Sequence, residues 1–78
     1  MPLKQLISTI AKALVDHPDQ VSVNEIEADN NALIELRVAR EDIGKVIGRE
    51  GRTAQAMRAL LTAASAKIGR RSHLDILD

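Results

Sequence analysis

The residues best suited to chemistry in this sequence form one stretch, Ile43-Gly44-Lys45-Val46-Ile47-Gly48-Arg49-Glu50-Gly51-Arg52. Gly48 and Gly51, three apart, let the chain turn sharply and approach a ligand with no Cβ in the way. A helix starting just past them offers unpaired N–H groups and the positive end of its dipole, both of which favour an anion. Arg49 stands at the apex of the turn, Lys45 one turn before it and Arg52 directly after. The amides bared by the bend are expected to point outward together and grip a phosphate. Glu50 departs from the simplest clamp of this kind, because it puts a negative charge where a second cation would have helped. Its effect depends on whether it faces solvent or Arg52, and weaker, not absent, binding is expected.

Two glycines three apart are a weak motif alone, and the plain alternative is a helix-to-helix connection in which they serve only as caps. The setting strengthens the signal. Val46 and Ile47 precede the pair, and the segment lies in the only basic block of the chain. Eleven basic and eleven acidic residues cancel overall, yet residues 41–71 hold seven basic against three acidic groups, a net of +4, with −2 on each flank. Such asymmetry bears on a polyanion partner more than the global zero does.

Other chemistries find no support. His17 and His73 lie far apart and lack the paired spacings of metal sites, with Asp16, Asp19 and Asp75 near them only in sequence. Ser8, Ser65 and Ser72 have no nucleophile-elbow context, and residues 44–53 do not follow the Walker spacing. There is no cysteine and no aromatic residue, which removes thiol nucleophiles, disulfides and base-stacking platforms. No catalytic residue, metal or cofactor is expected.

The elements that must position the turn can be read from periodicity. Leu3, Leu6, Ile7, Ile10 and Leu14 form one helical stripe, with Pro2 suited to the first turn and His17-Pro18 ending it. Val21 and Val23 alternate, slip at Glu25 and resume at Ile26 and Ala28, which predicts a strand over 21–28 with a bulge. Asp29-Asn30-Asn31 favours a hairpin, and Ile34, Leu36 and Val38 mark a second strand over 32–39. Asp42 is placed to N-cap a short helix carrying Ile43, Val46 and Ile47. Ala54, Met57, Leu61, Ala64 and Ile68 mark a four-turn helix stopped by Gly69, and Leu74 and Ile76 mark a third strand over 72–77.

The order is αββααβ. A two-helix crossover places the third strand parallel to the second, giving an α+β fold whose three-stranded mixed sheet is covered by three helices on one face. At 78 residues and 8.5 kDa, residues 1–78 are expected to form a single domain with an aliphatic core. No apolar run exceeds three residues, so no membrane span is expected and the chain is expected to be cytoplasmic.

Val46-Ile47-Gly48-Arg49-Glu50-Gly51 resembles the (V/I)-I-G-x-x-G signature of KH domains, whose loop clamps about four single-stranded nucleotides. The αββααβ order resembles the type II KH arrangement. Over nearly the whole chain the pattern is similar to the small bacterial KH proteins of the KhpA, or YlqC-like, family. That resemblance implies a single-stranded RNA-binding protein, an RNA chaperone or post-transcriptional regulator. Gly48, Arg49, Glu50 and Gly51 would form the clamp, with Lys45 and Arg52 beside it and Ile43 and Ile47 flooring the bases. It also implies a homodimer, or a heterodimer with a larger KH-containing RNA-binding protein.

Two rival readings stay open. Ala56, Leu60 and Ala63 form a second stripe on the long helix, about 110° from the first, suited either to widening the buried face or to a dimer contact. The chain would then be a protein-interaction adaptor with nucleic acid incidental. Single-stranded DNA is the other option, because the contact that selects the 2′-hydroxyl is not readable from sequence. Arg70 and Arg71 fit the C-terminal dipole of the long helix better than a second nucleic-acid contact.

Overall fold

The computed structural model describes residues 3–77; the expected role of Pro2 lies outside them. The order is α1 (Leu3–Leu14), β1 (Ser22–Ala28), β2 (Asn31–Arg37), α2 (Ile43–Ile47), α3 (Arg52–Lys67) and β3 (Arg71–Leu77), with single 3-10 turns at Pro18–Gln20, Arg40–Asp42 and Arg49–Gly51. The sheet order is β1-β2-β3, and β2 pairs antiparallel with β1 and parallel with β3. This is the expected mixed sheet with all helices on one face. Among the described residues no helix is long and apolar enough to cross a membrane.

Alternation along β2 shows why only one face is covered. Ala32, Ile34 and Leu36 are fully buried and meet Leu3, Ile7 and Ala11 of α1, Val46 of α2, and Met57 and Leu61 of α3 in one aliphatic cluster. The hairpin turns through Asp29, which takes a φ of +55°, a conformation that Asp tolerates better than most residues.

Four expectations are corrected. First, β1 carries no bulge: its register with β2 is continuous from Ser22↔Arg37 to Ala28↔Asn31. The alternation that breaks is one of polarity. Glu25 takes the helix-side position opposite Ile34, where its hydrogen bond with Glu27, burial and the Glu27 charge hold its pKa above the ordinary value, and Ile26 is left on the open face, exposed. Second, Ala11 and not Leu14 completes the buried stripe of α1; Leu14, the last helical residue, is exposed. Third, Ile68 is 57% exposed, because α3 has already ended. Ser65 occupies the buried stripe in its place, its hydroxyl 2.8 Å from the Leu61 carbonyl and 2.8 Å from the Ser72 hydroxyl of β3. Gly69 does stop the helix, at φ +71°, with Gly69 N–H donating to Ala66 O and Arg70 N–H to Ser65 O, a Schellman closure.

The fourth correction concerns Asp42. It does not cap α2 with its side chain. Its carboxylate is completely buried and instead accepts the backbone N–H groups of Asp16 at 3.2 Å and His17 at 3.0 Å. A residue expected to act locally thus fastens the connection after α1 to the start of α2.

Candidate nucleic-acid interface

The five-residue α2 stops at Gly48, whose φ of +77° and ψ of +175° lie in a region almost confined to glycine. A Cβ there would also sit 2.1 Å from Thr53 Oγ1 and 2.6 Å from Thr53 Cβ. Glu50 (φ +56°, ψ +27°) and Gly51 (φ +74°, ψ +11°) are then both left-handed, and this pair reverses the chain into α3. At Gly51 a Cβ would meet nothing within 4 Å, so only its backbone angle calls for glycine.

The turn does not bare all of its amides. Gly48 N–H donates to Gly44 O at 2.9 Å, and Gly51 N–H donates to Gly48 O at 3.1 Å. Arg52 N–H closes on Arg49 O. The Arg49 and Glu50 amides make no backbone hydrogen bond among the described residues, so two donors and not four remain open to an anion. The Gly48 amide is used by the last α-helical bond of α2 and the Gly51 amide by the 3-10 closure of the turn.

The cations around this turn fall into distinct states. Arg49 is exposed and, among the described residues, has no ion-pair partner. Arg52 reaches Glu50 at 3.3 Å, both side chains being mostly exposed, so the acidic residue of the turn faces Arg52. Lys45 is held by Asp16 Oδ2 at 3.1 Å and by Asp42 Oδ1 at 3.6 Å. Asp16, by hydrogen bond and charge, raises the Lys45 pKa above its ordinary value. For Asp42, burial opposes the charge, but the Asp16 and His17 amides together with the His17 and Lys45 charges prevail and lower its pKa.

Of the apolar floor, Ile43 is half-buried against the core and Ile47 is exposed beside it, while Val46 between them is fully buried. Ala56, Leu60 and Ala63 are all exposed on α3, Leu60 at 53%. Arg70 pairs with Glu27 at 3.0 Å, which ties the connection between α3 and β3 to β1, the far strand of the sheet. A cleft of about 220 Å³ between α3 and β3 is lined by Arg58, Leu61, Thr62, Ser72, His73 and Leu74; no residue of the turn contributes to it. Sequence reasoning missed Asp16 and Asp42 as parts of this region, since nothing local signals that they converge on Lys45.

A helical pair joined by a G-x-x-G turn within an αββααβ frame defines a type II KH domain. The chain belongs to the KhpA/KhpB KH-domain family, whose model matches residues 4–76. It is 55% identical over 73 residues to a protein named RNA-binding protein KhpA from Caldanaerobacter subterraneus subsp. tengcongensis, covering 94% of this chain and 97% of that one. It is 51% identical over 74 residues to the Borreliella burgdorferi protein of the same name, covering 95% and 90%. Among solved structures, Era bound to MgGDPNP and a segment of 16S ribosomal RNA superimposes with a TM-score of 0.64 at 23% identity. That match covers 97% of this chain and 30% of Era, and it bears on the fold alone.

Proposed function

We propose that this protein binds single-stranded RNA, holding the backbone at the Gly48–Gly51 turn and laying bases along Ile43 and Ile47. The observation that carries this reading is the pairing of Arg49, which has no ion-pair partner among the described residues, with two open amides, Arg49 and Glu50, in one tight turn. The names of the relatives support RNA as the ligand. Arg52 contributes once it leaves Glu50, and Lys45 once it leaves its carboxylates. With no aromatic side chain in the sequence, bases are held by van der Waals contact and edge hydrogen bonds, so sequence preference is loose. The role that fits is that of an RNA chaperone or post-transcriptional regulator in the cytoplasm, without enzymatic activity.

The exposed Leu60, flanked by Ala56 and Ala63, favours an added protein contact on α3. The partner is a second copy or a larger KH-containing protein. If this surface were the main function, RNA binding would be incidental to an adaptor.

The test is binding of a short unstructured RNA to the Arg49→Asp/Glu50→Asp variant. Retention should disappear while the circular dichroism spectrum is unchanged; intact binding would remove the turn from the site. Two or three held phosphates predict a log-log salt slope of about −1.4 to −2, and a flat slope would count against phosphate recognition. Parallel titration with DNA of the same sequence separates the two nucleic acids.

A further inference from the structure

Lys45 precedes the turn by three residues, yet its ammonium is already neutralised by two carboxylates that play unequal parts. Asp42 is fully buried and committed to the Asp16 and His17 amides, so it stays in place whatever Lys45 does. The Asp16 side chain is 69% exposed and has Lys45 as its sole ion-pair partner among the described residues. Its backbone N–H, bonded to Asp42 Oδ1, fixes where the residue sits while the carboxylate is free to swing to water. Asp16 thus presents to Lys45 what a phosphodiester would: one exposed, singly charged oxygen acceptor, here at 3.1 Å.

We infer that Asp16 is an affinity-setting residue for RNA: in the free protein its carboxylate fills the place at Lys45 that a backbone phosphate takes in the complex. The inference rests on the proposed use of the turn as the RNA site. A phosphate gripped at the turn brings its neighbours along the strand to Lys45 at high effective concentration, whereas a lone phosphate in solution has no such help in displacing an attached carboxylate. Exposed ion pairs of this kind shift an equilibrium by up to about fivefold. Asp16 therefore tunes binding and does not forbid it.

Four proteins decide the matter: the wild type, Asp16→Asn, Lys45→Met and the double variant, each titrated with a short unstructured RNA by fluorescence anisotropy. All substitutions are at solvent-accessible side chains, and thermal melts check that each variant is folded at the assay temperature. Asp16→Asn should tighten binding about two- to fivefold, Lys45→Met should weaken it, and the Asp16→Asn gain should vanish in the double variant. A merely structural part for Asp16 would not make its effect depend on Lys45. A gain of the same size in the Lys45→Met background would show that Asp16 acts only through the general field, and would overturn the inference. So would the absence of any gain, or a Lys45→Met protein that binds as the wild type does. In each of those cases the turn is judged separately by the Arg49→Asp/Glu50→Asp variant, whose undiminished binding would refute the site itself.

Discussion

Replacing Gly48 with alanine forces a methyl group to within 2.1 Å of Thr53 Oγ1, 2.6 Å of Thr53 Cβ and 2.9 Å of Thr53 N. Two of those atoms belong to the β-carbon and backbone of α3, so a side-chain rotation cannot clear the space. A non-glycine residue at φ +77° and ψ +175° costs about 1–3 kcal/mol, and overpacking adds about 1–3 kcal/mol. The total, about 2–6 kcal/mol, is a large part of the roughly 4–12 kcal/mol that a chain of this length commands. At about 4–8 °C per kcal/mol, the melting temperature should fall by at least about 8 °C. Gly51→Ala is the control: its φ is +74° but it meets no neighbour, so only the left-handed cost of about 1–2 kcal/mol applies. Urea unfolding followed by far-ultraviolet circular dichroism measures both, since the sequence has no tryptophan or tyrosine to report by fluorescence. Equal destabilisation by the two substitutions would show that the contact with Thr53 is soft and that backbone angle alone selects glycine at both positions.

Glu50→Gly should stabilise the fold by about 0.5–1 kcal/mol, since a left-handed residue is relieved, and should tighten RNA binding by freeing Arg52; a lower melting temperature would contradict it. Leu60→Glu should turn a dimer into a monomer in sedimentation at an unchanged dichroism spectrum, and a monomeric wild type would end the case for a dimer through α3. Asp42 has a folded pKa below its ordinary value of 3.8, so its stabilisation is present above that value and is lost as pH falls through the folded pKa. The gap in melting temperature between the wild type and Asp42→Asn should therefore be wide near about pH 7 and narrow as pH drops below about 3.8. A gap independent of pH would mean that the carboxylate charge contributes nothing.

Much of the frame was legible because single patterns carried it. The Ala54, Met57 and Leu61 part of the long-helix stripe, the hairpin at Asp29-Asn30-Asn31 and the Gly69 stop each depend on local periodicity or local backbone chemistry, and each appears in the structure. What was hidden depends on residues brought together from a distance. Asp42 has the composition of a helix cap, but Asp16 and His17, 26 and 25 positions away, offer it better donors. Periodicity passes over Ser65 in favour of Ile68, because the Leu61 carbonyl and the Ser72 hydroxyl that let it be buried are not visible in a pattern of apolar residues. Glu25 reads as a slipped register until its pairing with Ile34, in an unbroken ladder, places it on the helix side of the sheet. At the turn, glycine spacing announced the bend but not how many amides the 3-10 closure would use.

At five residues, α2 is far shorter than the roughly 12–15 that a helix needs to persist in water by itself. It exists because Val46 is sunk in the core and because Asp42 clasps the segment after α1. The Gly48–Gly51 turn is therefore not a pliable arm that a ligand could mould while the remainder stands unchanged. The hydrogen-bonded Gly48 amide should exchange by whole-chain opening, while the open Arg49 and Glu50 amides exchange freely, and any ligand that grips this corner should slow exchange in α1 and throughout the sheet as well.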